Sequence, residues 1–176
     1  MPDMFSNFEG GVIDAASLGF LQVDSHGDVN PSVLPGRYYG PGGFPVIAGG
    51  APSVYFAGSF TAGGSKIEAD PPGIRIIDDG KIQKFVSTAY KTFFSGKEAM
   101  REAKEVLYVT ERTVLQLTPD GVTIQEIAPG ADLERDVLQK MGFEPKVSPH
   151  LTEMDKRLFA KEKMHVKEEL ERIFKT

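Results

Sequence analysis

With 176 residues the chain is long enough for one domain that buries its own core, and with no Cys it has no disulfide, thiolate nucleophile or zinc-thiolate site. A formal charge of −5 at pH 7 runs against the basic stripe that a nucleic-acid footprint needs. There is no apolar run of roughly 18 residues to cross a membrane, and the opening segment has neither the basic region nor the apolar core of a signal peptide, so a soluble cytoplasmic protein without nucleic-acid or membrane partners is expected.

In chain order, residues 12–23 predict a short helix, with Asp14 as N-cap and Gly19 as its stop, running into a buried strand near Phe20–Val23. Asp24 to Asp28 is a turn by composition, and Val29–Tyr39, interrupted by Pro31 and Pro35, reads as extended loop with at most an edge strand. Val54-Tyr55-Phe56-Ala57, an apolar run between Gly and Pro signals, predicts a fully buried parallel-type strand. Ile74–Ile77 and Ile82–Phe85 flank Asp78-Asp79-Gly80-Lys81, which predicts a hairpin.

A short strand is expected at Thr92–Phe94, a brief helix over Gly96–Lys104, and a strand over Val106–Thr110. Val114–Leu117 and Val122–Ile127 around Pro119-Asp120-Gly121 predict a second hairpin. Asp132 caps a helix through Met141 that Gly142 stops. Thr152 with Asp155 opens a last helix over Glu153–Phe174, whose Val166, Leu170, Ile173 and Phe174 form one packing stripe. The division that follows is a domain over 1–150 and a helix packed on it over 151–176.

Fourteen of the 19 glycines lie between Gly10 and Gly73, so the first half needs turns at positive φ or close backbone approach to a ligand, and chemistry is expected there. Gly40-Pro41-Gly42-Gly43-Phe44 is the first candidate: adjacent glycines can turn several N–H groups into one concavity for an oxyanion, carboxylate or phosphate, or they make only a tight turn. It lacks both the Lys-Ser/Thr of a phosphate loop and the spacing of a dinucleotide fingerprint. Gly63-Gly64 follows the same logic, and Gly10-Gly11 before Asp14 is a cap plus a turn, or a phosphate turn at a helix start. Glu111-Arg112 reads as a structural ion pair. His26, His150 and His165 are scattered without ligand spacing, and Ser32, Ser59 and Ser65 lack a nucleophile elbow, so no autonomous nucleophilic site and no metal site is expected.

Five blocks in order resemble the C-terminal part of family I coenzyme A transferases, of the acyl-CoA:acetate or 3-oxoacid type. They are Gly10-Gly11-Val12-Ile13-Asp14 with Leu18-Gly19 and Gln22-Val23-Asp24; Gly27-Asp28-Val29-Asn30 with Ser32; Gly40 to Phe44; Phe60-Thr61-Ala62-Gly63-Gly64; and Tyr108-Val109-Thr110-Glu111-Arg112 with Glu126-Ile127-Ala128-Pro129-Gly130. Val12 stands where the family usually has a third glycine, and Asp28 where it has Asn. The resemblance implies an α/β fold, a mixed or largely parallel sheet flanked by helices, equivalent to part of the family's C-terminal open α/β/α domain.

The resemblance also implies a coenzyme A thioester as substrate, with no bound cofactor, and a carboxylate acceptor. Gly40, Gly42, Gly43 and Phe44 would then bind CoA and the thioester oxyanion. The family's nucleophilic glutamate sits in a Glu-x-Gly segment before the first block, and no glutamate of this chain matches it, so no catalytic residue is expected here. Expected partners are the missing N-terminal portion or a separate subunit, in a homo- or hetero-oligomer. Two further readings are a non-catalytic binding protein that keeps the scaffold, and a free-standing CoA-ester hydrolase using another carboxylate.

Overall fold

The computed structural model describes residues 2–174, with side chains from residue 6 onward. Helix α1 (Pro2–Glu9) leads into β1 (Ala15–Leu18), β2 (Gln22–Asp24), β3 (Val29–Asn30) and a small hairpin of β4 (Val33–Leu34) and β5 (Arg37–Tyr38). Next come α2 (Phe44–Gly50), β6 (Ser53–Ala57), β7 (Thr61–Ala62), β8 (Lys66–Asp70), β9 (Gly73–Asp78), β10 (Ile82–Gln83), β11 (Phe85–Val86) and α3 (Gly96–Arg101). The chain continues through β12 (Glu105–Val109), β13 (Thr113–Thr118) and β14 (Gly121–Ile127). A π turn over Leu133–Val137 and a 3-10 turn over Leu138–Lys140 precede β15 (Lys146–Glu153), a second 3-10 turn over Lys156–Phe159, and α4 (Val166–Ile173).

The central sheet has six strands in the order β1-β6-β12-β13-β14-β15. Its first three strands are parallel, β13 and β14 form an antiparallel hairpin beside β12, and β15 returns parallel to β14. The fold is therefore α/β, with a mixed, mostly parallel central sheet flanked by helices. β6 is the strand expected at 54–57, paired on both sides, and its alternation puts Val54 and Phe56 in the core at 0% exposure. Phe56 stacks on Phe44 of α2 at 5.7 Å and on Tyr108 of β12 at 5.7 Å, and meets Phe94 edge-on at 5.0 Å. This aromatic cluster fixes α2 to the sheet. Ala99 of α3 and Val137 of the π turn complete the same core.

Three local expectations give way to tertiary pairing. Residues 14–19 form no helix: Ala15–Leu18 pairs in register with Ser53–Phe56, and this tertiary pairing, which buries Ala16, overrides the helical preference of Ala-Ala-Ser-Leu. The strand expected at Phe20–Val23 is β2, which begins two residues later and ends one later. The hairpin expected across Asp78–Lys81 is absent. β9 instead pairs with β8 around Pro71 and Pro72, β10 pairs with β7, and β11 runs parallel to β2. Asp79 is taken up by Arg112 and Lys140, and Gly80 sits at φ +69 where a Cβ would come within 2.5 Å of the Ala62 carbonyl, so the turn joins separate sheets.

The long terminal helix is the third correction. Residues 146–153 add a strand to the sheet, Asp155 caps a 3-10 turn through Arg157 N–H, and only Val166–Ile173 is helical. Its expected stripe is exposed: Val166 is 44% and Leu170 46% accessible. Elsewhere, α3 has Ser95 as N-cap and β13 and β14 make the Asp-Gly hairpin as expected, but Asp132 caps a π turn and a 3-10 turn in place of the helix expected through Met141, and the strand expected at Thr92–Phe94 is only an isolated bridge from Phe94 to Val29.

Candidate functional site

In an open α/β sheet, ligands sit beyond the carboxyl ends of the parallel strands, where connections diverge and backbone groups are free. Here β1 ends at Gly19-Phe20, β6 at Gly58-Ser59-Phe60 and β12 at Thr110-Glu111-Arg112. Helix α2 enters β6 directly through Ala51 and Pro52, so its amino end points back toward this edge. The Phe44–Phe56 stack holds it there.

The glycine turn that precedes α2 has a defined shape. Gly40 (φ +78) and Gly42 (φ +55) are left-handed, and a Cβ on either would meet nothing within 4 Å, so both border open space. Gly43 caps α2 with an ordinary φ of −84. Among the described residues the Gly42 and Gly43 amides donate to no acceptor, whereas the Phe44 amide closes the turn on the Pro41 carbonyl at 3.1 Å. Phe44 is 5% exposed. Its ring is core, and the open amides of the four sequence candidates are those of the glycines.

At the carboxyl end of β12, sequence reading foresaw a pair and missed a network. Arg112 is fully buried. Its Nη1 donates to Asp79 Oδ1 at 2.5 Å and to the Asp136 carbonyl at 2.9 Å, Nη2 to Thr61 Oγ1 at 3.3 Å, and Nε to Glu111 Oε1 at 3.4 Å. Lys140 Nζ reaches Asp79 Oδ2 at 2.8 Å, and the Thr61 hydroxyl donates to the Asp79 carbonyl. Burial alone would raise the Asp79 carboxyl, but the hydrogen bonds and charges of Lys140 and Arg112 hold it below its ordinary value. Asp136 is also held low, mainly by its hydrogen bonds from Arg135. The signal for Asp79 was hidden by the turn chemistry of Asp-Gly.

Glu111 Oε2 accepts the Phe60 amide at 2.9 Å, which fixes the carboxylate at the edge of a cleft of about 480 Å³. Ser59, Thr61, Gly63, Gly64 and Ser65 line the same cleft. This brings Gly63-Gly64 to the sheet edge. Lys84, which sequence reading passed over, lies there too, with Nζ 3.9 Å over the Phe20 ring. Gly10 and Gly11 close the end of α1 through the Ser6 and Phe8 carbonyls. His26, His150 and His165 remain apart and exposed, and no group of three metal-ligating side chains occurs among the described residues. No helix of the described residues is long and apolar enough to cross a membrane.

Comparison with known proteins places these features in context. The chain is 40% identical to acetate CoA-transferase YdiF of Escherichia coli K12 over 90% of its own length and 30% of that protein's. It is 42% identical to caffeate CoA-transferase of Acetobacterium woodii, over 89% of this chain and 31% of the relative. It thus spans about a third of the curated relatives it matches. The apoenzyme structure of acyl-CoA transferase YdiF from E. coli O157:H7 superposes with a TM-score of 0.89 at 40% identity, covering 92% of this chain and 32% of that one. The decarboxylase AibA/AibB, at 15% identity and a TM-score of 0.63, covers 87% of this chain and 56% of its own and shares the fold. No family model matches.

Proposed function

Since the chain belongs to the family I CoA-transferases as a part spanning about 30% of their length, we infer that it supplies the oxyanion-binding part of an acyl-CoA:carboxylate CoA-transferase. It does so only together with the portion that carries the nucleophilic glutamate. One observation carries this reading. The Gly40–Gly43 turn, one of the five blocks that resemble the family, leaves two amides unspent beside open space at the amino end of α2.

The chemistry follows from that placement. A carboxylate supplied by the complementary portion attacks the thioester carbonyl, and the C=O electron pair moves onto oxygen. Amides aimed at that oxygen stabilise it in the tetrahedral state, a contribution of about 3–4 kcal/mol per donor in comparable sites. Collapse expels CoA thiolate and leaves a mixed anhydride; thiolate then attacks the glutamyl carbonyl, releasing the first acid and leaving an enzyme thioester. The acceptor carboxylate repeats the steps in reverse. CoA is a substrate throughout and no metal or bound cofactor takes part.

Mixing the chain with the complementary two-thirds of a related transferase tests the reading. CoA transfer is expected from the mixture and not from the chain alone, and hydroxylamine trapping after acyl-CoA treatment is expected to mark no carboxylate here. Gly43→Val is expected to abolish turnover of the mixture with little loss of stability, because its φ of −84 accepts a branched residue. Association without turnover would instead support a non-catalytic binding protein on the same scaffold. A homo- or hetero-oligomer and a cytoplasmic location go with the transferase reading; the cysteine-free composition suits a reducing compartment.

A further inference from the structure

One buried charge at the sheet edge has no role in that chemistry. Lys84, between β10 and β11, is 6% exposed, and its Nζ stands over the Phe20 ring just past the end of β1. A Cβ built on Gly58, where β6 ends, would lie 3.0 Å from the same atom. The ammonium therefore sits at the carboxyl ends of two adjacent parallel strands. Ser59, next to Gly58, lines the cleft, and beside Gly19 there is open space.

Among the described residues, no carboxylate lies within ion-pair distance of this ammonium. Glu111 is the anion that faces it, but its oxygens are held by the Phe60 amide and Arg112. Arg112 and Lys140 converge on Asp79. Three cations thus face two carboxylates, and Lys84 is the one left over. A buried, uncompensated ammonium is costly, and a fold that keeps one gains from an anion it can receive.

We propose that Lys84 receives the carboxylate group of a small organic acid at the carboxyl ends of β1 and β6. That this acid is the acceptor of CoA transfer rests on the function proposed above; the carboxylate site itself does not. Lys84 offers three donors on a point charge and Phe20 its apolar wall, which fits a short acyl chain ending in one anionic group. Burial lowers the pKa of Lys84 to about 8, so it is charged at neutral pH and loses its charge in mildly alkaline solution.

Acetate titrated into the 15N-labelled full chain, followed by amide spectra, tests this without any CoA ester. Saturable shifts are expected at Gly19, Gly58 and Ser59. Lys84→Met is expected to weaken binding about tenfold or more, the loss of a charge-assisted contact. Lys81→Met, at an exposed neighbour, is expected to change nothing, and neutral acetamide is expected not to saturate. If Lys84→Met does not fold, wild type still decides: acetate affinity is expected to fall by at least about fivefold from pH 7 to pH 10 as the ammonium is lost. Phe20 and Gly58 do not titrate, and Glu111 is the charged group that faces the ammonium. Linear shifts, or saturable binding that survives Lys84→Met or alkaline pH, overturn the proposal. Such a failure leaves the transferase reading standing, and an inactive reconstituted mixture leaves this result untouched.

Discussion

Lys84 and Arg112 are two buried cations with opposite effects on the fold. Among the described residues Lys84 is held only by an aromatic face and a distant Glu111, so its charged form is disfavoured by burial and its pKa drops from 10.5 to about 8. The unfolded chain then binds the proton more tightly, so folding stability rises with pH between those two values. Lys84→Met is expected to stabilise the chain by about 1–3 kcal/mol at pH 7, an advantage that shrinks by pH 10, read as shifts in urea midpoint. A destabilised variant at pH 7 would show that the lysine is a structural strut. Arg112 is fully paired. Asp79→Ala leaves its guanidinium buried without its nearest carboxylate and is expected to cost about 3–5 kcal/mol, whereas Asp79→Ala combined with Arg112→Met is expected to cost less than the two single losses together. Because the folded-state pKa of Asp79 is depressed, its contribution is present above the ordinary carboxylate value and is lost as pH falls through the folded one, in the acid range below about pH 4.

At the scale of elements, legibility followed how local the cause was. The β13–β14 hairpin was readable because Pro119-Asp120-Gly121 specifies its own turn, and β6 because an apolar run between breakers has few other fates. The glycine turn was readable as a concavity, but not that Phe44 would be core, since its burial depends on Phe56 across the sheet. The Asp78–Lys81 turn misled because its side chains answer to residues far along the chain: Asp79 to Arg112 and Lys140, Gly80 to Ala62. β15 carries Pro149 and mostly exposed residues, so its alternation gives no strand signal and its capping-like Thr152 suggested a helix. Gly80→Ala tests this directly. At φ +69 with a carbonyl 2.5 Å from the new Cβ, it is expected to lower stability by about 1–3 kcal/mol, and amide shifts are expected to concentrate at Thr61–Ser65 and Arg112. An unperturbed variant would mean that the turn is a local device after all.

Taken whole, the sheet has unequal faces. The side bearing Val54, Phe56, Val106 and Tyr108 is sealed by the helices, while Tyr55, Leu107, Val109 and Gln116 on the other side are half-buried, and among the described residues β1 pairs only with β6. Parallel strands are ordinarily covered on both faces, and an edge strand with free backbone groups invites pairing. On the function proposed above, the complementary portion would be the cover of this half-open sheet. Without that portion the chain is expected to self-associate: sedimentation is expected to show a concentration-dependent dimer or larger species, and an environment-sensitive dye to bind the open face. Leu107→Glu, placing one charge amid that face, is expected to abolish both while leaving the melting temperature within a few degrees, since Leu107 lies outside the core clusters. Deleting residues 162–176 serves as the control, because α4 buries no side chain and its removal is expected to leave association and stability unchanged. If the deletion dissociates the oligomer and Leu107→Glu does not, the contact runs through the exposed face of α4 and the open sheet is not the surface that recruits a partner.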